Sequence, residues 1–242
     1  MKTEQTTPKY KRVLLKLSGE AMAAGAEKGI LNHAFLHEIC LKIKECLDCG
    51  VQVSVIVGAG NIWRGRQGTD MDHVRADHMG MLATAINALA LQDALEHVGI
   101  DARVMTAVEM RSFAEPFVRD EAIRHLEAGR VVIFGCGIGT PFFSTDTAAV
   151  MRAAEVGADV VLMAKNIDYI YTADPRRDPD AKKLTTVSCT EILSRGLAAI
   201  DFTAAAFCLS TGMPIRVFGL SVPEDILAAV RGEKVGTVVT PD

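Results

Sequence analysis

Three short turns in this 242-residue chain combine glycine with side chains suited to binding phosphate. The first reads Lys16-Leu17-Ser18-Gly19-Glu20, the second Val57-Gly58-Ala59-Gly60-Asn61, and the third Gly135-Cys136-Gly137-Ile138-Gly139-Thr140-Pro141. Glycine lets a backbone approach a ligand closely and turn its N–H groups toward anionic oxygens. Lys16 interrupts the aliphatic run Val13-Leu14-Leu15-Lys16-Leu17, where an unpaired ammonium would be costly. It reads either as a strand-end lysine reaching into water or as a cation aimed at a transferring phosphoryl group. Arg64 and Arg66 follow the second turn, either as guanidinium partners for phosphate or as solvated surface arginines. Asp77 opens an apolar helical pattern and fits a helix N-cap or an acceptor for ribose hydroxyls. His78 beside it fits a structural role better than a ligand. Asp146, in Ser144-Thr145-Asp146, invites the same cap reading, although Ser144 and Thr145 can also cap.

Other phosphate and redox chemistries lack their signatures. No G-x-x-x-x-G-K-[ST] occurs, and no G-x-G-x-x-G opens a helix, which disfavours a P-loop kinase and a dinucleotide dehydrogenase. Six cysteines include the pair Cys46 and Cys49, with no second pair or histidines to complete a zinc set. That pair falls at the end of a helical pattern, whereas a redox thiol gains its low pKa at a helix N-terminus. Packing thiols are expected.

The turns must be held by something, and aliphatic runs alternating with helical periodicity point to a parallel sheet. Strands are expected at 12–17, 52–57, 102–106, 131–134, 160–164 and 215–218, with a short final strand around 237–240. Helices are expected at 34–49, 77–97, 120–128, 145–156 and 224–231, with Met81, Ile86, Leu89 and Leu95 among the apolar positions of the second. Asp120 is the expected N-cap of the third, with Gly129 at its end. The stretch 172–183, with Asp174-Pro175 and Asp178-Pro179, reads as a surface loop. All three glycine turns then follow strand carboxyl ends, where open α/β sheets bind ligands.

Composition sets bounds on the whole. The chain is 49% hydrophobic but only 5% aromatic, as buried parallel strands require. A formal net charge of −4 argues against nucleic acid as a partner, since neutralising phosphates needs a basic surface. The polar start lacks a signal-peptide core, no aliphatic run is long enough to span a membrane, and a cytoplasmic protein is expected. The expected organisation is an N-terminal tail, 1–10, followed by a single domain, 11–242.

From Tyr10 to Thr240 the chain resembles the bacterial-type uridylate kinases of the amino acid kinase family. The resemblance rests on Lys16-Leu17-Ser18-Gly19-Glu20, Asp77-His78-Met79-Gly80-Met81-Leu82-Ala83-Thr84, Pro141-Phe142-Phe143-Ser144-Thr145-Asp146, Tyr171-Thr172-Ala173-Asp174-Pro175, Pro214-Ile215-Arg216-Val217-Phe218 and Gly232-Glu233-Lys234-x-Gly236-Thr237. It implies a three-layer αβα sandwich around a mainly parallel sheet, and transfer of the ATP γ-phosphoryl group to UMP in pyrimidine nucleotide synthesis. By the same resemblance Lys16, Arg64, Asp146 and Asp201 lie at the catalytic centre, the two aspartates orienting rather than removing protons. ATP would meet Lys16, Leu17, Ser18, Gly19, Gly60, Arg64, Lys165, Asn166, Tyr171 and Asp174. UMP would meet Ala59, Asp77, Ile138, Gly139, Thr140, Pro141, Phe142, Phe143, Ser144 and Thr145. Mg²⁺ would be held chiefly by nucleotide phosphates, with no dedicated protein metal site. A homohexamer activated by GTP and inhibited by UTP is also implied.

The chain departs from the family pattern at four points. Ala59 stands inside a turn that usually reads Gly-Gly-Gly-Asn, Ile138 and Thr140 stand where Thr and Asn are frequent, and Tyr169 replaces a glycine. An amino-acid or carbamate kinase, with a smaller acceptor, is the nearest rival on the same fold. A nucleotide- or oxyanion-storage protein is the non-catalytic rival, and Lys16 and Arg64 count against it.

Overall fold

All six aliphatic runs become strands, and three of them extend one residue beyond the expected end. The computed structural model describes residues 7–26, 29–63, 70–197 and 199–242. Strand β1 (Arg12–Leu17) leads through helix α1 (Gly19–Ala23) and α2 (His33–Asp48) to β2 (Gln52–Val57). The long helix α3 (His73–His97) precedes β3 (Ala102–Thr106), β4 (Glu115–Pro116), α4 (Arg119–Glu127) and β5 (Val131–Gly135). Then come α5 (Thr145–Val156), β6 (Val160–Lys165), the hairpin strands β7 (Ile170–Tyr171) and β8 (Lys183–Leu184), β9 (Thr186–Ser188), α6 (Cys189–Arg195) and α7 (Phe202–Thr211). The chain closes with β10 (Ile215–Gly219), α8 (Glu224–Arg231) and β11 (Thr237–Thr240).

Nine strands form one sheet in the order β4-β3-β5-β2-β1-β6-β10-β11-β9. Its pairs are parallel except β10 with β11. β1 lies at the centre, its Lys16 level with Ile56 of β2 and Met163 of β6. Side chains alternate across the sheet. Val13, Leu15 and Leu17 of β1 join the core under α2, α3 and α8, while Leu14 joins the opposite core under α4 to α7. The result is an αβα sandwich.

Two expected helix starts need correction. α3 begins a turn early, at His73, and its N-cap is Asp72, which accepts from the Arg75 N–H at 3.0 Å. Asp77 therefore lies inside the helix and does not cap it. α4 begins at Arg119 after Val118, with no side-chain cap bond. Asp120 instead sits in the first turn, where its charge suits the helix dipole. Of the expected tail, residues 1–6 lie outside the described residues. Lys9 donates its N–H to the carbonyl of Val230, so the chain joins the body there.

Cys46 is buried near the end of α2, and burial pushes its thiol up to about 12, with smaller contributions from its neighbours. That is the opposite of redox activation.

Candidate active site

The alternation that buries β1 also aims its one lysine. Lys16 shares a face with Leu14 and so points to the side covered by α5, only 8% exposed. On the neighbouring strand, Lys165 follows Val161 and Met163 onto the same face. Between the two amines stands Asp146, in the first turn of α5. Its Oδ1 is 3.1 Å from Lys16 Nζ, and its Oδ2 accepts from Lys165 Nζ at 2.5 Å. Burial alone would raise the Asp146 carboxyl, but the charges of Lys16 and Lys165 outweigh it and hold the group below its usual range. Lys165 is pushed down from the ordinary lysine value, first by burial and then by Lys16, against the pull of Asp146. Asp201 also acts on Lys165, and the arrangement places two amines at the carboxyl ends of β1 and β6, where an anionic ligand can meet them.

Asp146 is free for this because it does not cap its helix. Ser144 does, accepting from the N–H groups of Asp146 and Thr147. The Ser144 hydroxyl donates in turn to Asp201. Asp201 also accepts from the Thr147 hydroxyl at 2.9 Å and from Ala204 N–H at 2.8 Å, which makes it the N-cap of α7. Both aspartates are thus committed to holding other groups.

The glycine turns gather around this cluster. A Cβ on Gly19 would come within 2.6 Å of both Gly58 O and Asn61 Oδ1, so only glycine lets the first and second turns pack so closely. Asn87 of α3 is fully buried, and its amide donates to Gly58 O at 2.7 Å. Thr84, one turn earlier on α3, accepts from the Cys136 N–H at 2.8 Å and so holds the third turn. In that turn Gly139 has φ +81° and lies against Ala107. Sequence reasoning missed Asn87 and Thr84. The signal available was a pair of polar residues on the helix face otherwise buried through Ala83, Leu91 and Leu95.

A cavity of about 940 Å³ runs from this cluster outward. It meets Lys16, Ser18, Gly19, Ala59 and Gly60 on one side, and Asp77 with residues of the 138–145 segment on the other. Asp77 accepts the Phe142 N–H at 2.7 Å, and His73 stacks on the Phe142 ring with centroids 5.0 Å apart. Phe142 holds φ +72° and is 70% exposed. A left-handed phenylalanine is an uncommon and strained conformation, here supported by contacts on both sides. A second cavity, of about 700 Å³, lies beyond Lys165 and meets Asn166, Tyr171, Pro175 and Leu220 among others. Lys165 borders both.

The remaining expected site residues divide clearly. Ile138, Thr140, Phe142, Phe143, Ser144 and Thr145 border the larger cavity, whereas Gly139 and Pro141 do not. Leu17 is wholly buried in the core and borders neither cavity. Asn166 donates to Glu20 at 2.9 Å. Tyr171 donates its hydroxyl to Asp168, which Lys183 also contacts at 2.6 Å. Asp174 is turned into its own loop, accepting the Arg176 N–H at 3.0 Å, while its neighbours Pro175 and Arg176 border the smaller cavity. Arg64 and Arg66 lie outside the described residues. Among the described residues no group of three or more His, Cys, Asp or Glu side chains is arranged to hold a metal ion.

Comparison with known proteins agrees with this fold. Residues 11–219 match the family model described as the amino acid kinase family. The chain is similar to the solved UMP kinase of Bacillus anthracis, with TM-score 0.91, 36% identity, and coverage of 96% of this chain and 97% of that one. It is similar also to the UMP kinase of Ureaplasma parvum, with TM-score 0.88 and 31% identity over 95% and 98% of the two chains. The uridylate kinase of Archaeoglobus fulgidus superposes with TM-score 0.73 at 29% identity, covering 94% and 99%.

Proposed function

The chain belongs to the amino acid kinase family, and we propose that within it the protein is a UMP kinase, moving the γ-phosphoryl group of ATP to UMP to give UDP and ADP. The observation that carries this reading is the Lys16–Asp146–Lys165 cluster, placed where two cavities meet. The smaller cavity accommodates the adenosine of ATP and the larger one UMP, so that both phosphate chains converge on the lysines.

Phosphoryl transfer asks a protein mainly for positioning and charge stabilisation. A UMP phosphate oxygen attacks the γ-phosphorus in line, a new P–O bond forms, the bond to the β–γ bridging oxygen breaks, and ADP departs with that electron pair. UMP phosphate, with a second pKa of about 6, is mostly dianionic at neutral pH, so no side chain needs to take a proton from it. Lys16 and Lys165 stabilise the charge on the transferring group, and Asp146 fixes their amines in advance. Preorganised charge of this kind is effective in a site shielded from water. Asp77 receives the ribose hydroxyls of UMP, giving up its bond to Phe142 N–H.

When bound, Mg²⁺ supplies charge neutralisation to the nucleotide phosphates. Asp146 and Asp201 already accept protein hydrogen bonds, so the ion would be held chiefly by phosphate and water. We extend the proposal, on the resemblance alone, to a cytoplasmic homohexamer serving pyrimidine nucleotide synthesis, activated by GTP and inhibited by UTP.

An ADP-release assay with ATP and a panel of acceptors tests the function. UMP should be the best acceptor, ahead of CMP and the purine monophosphates, because a site that hydrogen-bonds one base edge rejects analogues that leave its polar groups unpaired. Turnover with carbamate or an amino acid, and none with nucleotides, would overturn the proposal.

A further inference from the structure

The two turns proposed to receive the donor and acceptor phosphates are locked to each other by a pair of asparagines, Asn87 buried and Asn61 half-buried, that borders neither cavity. Asn87 sits on α3 with no exposed surface. Its Nδ2 donates to Gly58 O at 2.7 Å and to Asn61 Oδ1 at 2.8 Å, and its Oδ1 accepts from Asn61 Nδ2 at 3.0 Å. Asn61 Nδ2 donates as well to the Ile30 carbonyl at 2.7 Å. That bond ties in the segment between α1 and α2, the helices that lend Ala21 and Phe35 to the smaller cavity. On its other side Asn61 Oδ1 presses against Gly19 so closely that no Cβ fits there. One amide pair therefore reaches the first turn, the second turn and the rim of the smaller cavity.

Peptide planarity gives the pair a chemical consequence. A trans peptide directs its C=O and the following N–H in opposite directions. With Gly58 O held by Asn87, the Ala59 N–H is directed away from α3, and Ala59 borders the larger cavity. We infer that Asn87 and Asn61 are positioning residues, which fix the acceptor-phosphate turn relative to the donor-phosphate turn and so set the in-line alignment for transfer. The inference rests on the proposed kinase reaction. In-line transfer is sensitive to such alignment, since a displacement of about 1 Å at a reacting centre costs on the order of a hundredfold in rate.

The test is steady-state kinetics of Asn87→Ala, Asn61→Asp and the double variant, with ATP and UMP each varied. Asn61→Asp keeps the acceptor for Asn87 but loses both donated bonds, and it lies at a partly exposed position that tolerates change better than Asn87 does. Thermal unfolding of each variant verifies that the fold persists. The expected result is a fall in kcat of about 10- to 100-fold with KM for both substrates within about threefold. The double variant should be little worse than the poorer single variant, because the two residues act as one device. Unchanged kcat in folded Asn61→Asp, or a loss expressed only in KM for one substrate, overturns the inference while leaving the kinase reading intact. A wild-type protein that turns over no nucleoside monophosphate overturns both.

Discussion

Asp146 stands between two lysine amines, so altering its charge changes the state of three groups together. Its carboxyl is held below the ordinary value of 3.8. A carboxyl depressed in the folded state adds stability that is present above the unfolded value, about pH 4, and is lost as pH falls through the folded value. Asp146→Asn should therefore be destabilised by about 3 kcal/mol at neutral pH, as for other broken buried pairs. The gap to the wild-type protein should narrow as pH drops below about 4. Urea unfolding across that range measures it, and a gap that persists undiminished in acid would contradict the pairing. Asp77 offers a cleaner separation of binding from folding. Because Asp72 caps the helix, Asp77→Asn should leave thermal stability nearly unchanged and raise KM for UMP about tenfold, with KM for ATP unaffected, the loss of one charged hydrogen bond. Loss of stability with normal KM for UMP would return Asp77 to a structural role. Lys16 was legible in the sequence because a lone ammonium interrupts an aliphatic run. As its partners, Asp146 and Lys165 entered only through the family resemblance, and their pairing was not legible in spacing, since contacts from β1 to α5 and from α5 to β6 arise only once the sheet assembles.

At the scale of elements, α5 links the fold to the chemistry through its cap. Ser144 satisfies the first N–H groups of the helix and bonds Asp201, while Asp146 and Thr147 follow in the same turn. Ser144→Ala should cost about 1 kcal/mol of stability, or roughly 2–4 °C in Tm for a chain of this size. It should also lower kcat, because Asp146 and Asp201 lose a shared restraint; Ser144→Thr should recover most of both. A variant with reduced Tm and full kcat would separate the cap from the site. The elements read best from sequence were those with long periodic patterns, α2 and α5 among them, and the continuous aliphatic strands. α3 was placed but its start was misjudged by a turn, and its buried face is built largely of small residues such as Ala76, Ala83 and Ala88, while Ile86 is 48% exposed. The short elements β4, β7, β8, β9 and α1 have too few residues to show a period. α6 and α7 went unread because neither carries a long enough amphipathic run, and Asp201 gave no sign of capping until Phe202–Thr211 folded behind it.

For the whole molecule, the parallel sheet brings the carboxyl ends of β1, β2, β5 and β6 to one edge, so all three glycine turns and both lysines converge there. That convergence follows from strand direction, and strand direction was legible in the alternation of strands and helices. What remained hidden was the third dimension of the site: the division into two cavities and the tie from α3 into two of the turns. The assembled arrangement makes a definite claim about chemistry. Among the described residues, the carboxylates nearest the lysines, Asp146 and Asp201, are occupied in holding lysines, hydroxyls and a helix end, and neither is assigned the part of a base. The measurement that bears most directly on this is kcat/KM for UMP as a function of pH. The account predicts a single rise through about 6, the second ionisation of the acceptor phosphate, followed by a plateau, and a rising limb that shifts downward with a phosphorothioate acceptor of lower pKa. A limb that stays fixed when the acceptor is changed, and that disappears in Asp146→Asn or Asp201→Asn, would reveal an enzyme base and contradict the account.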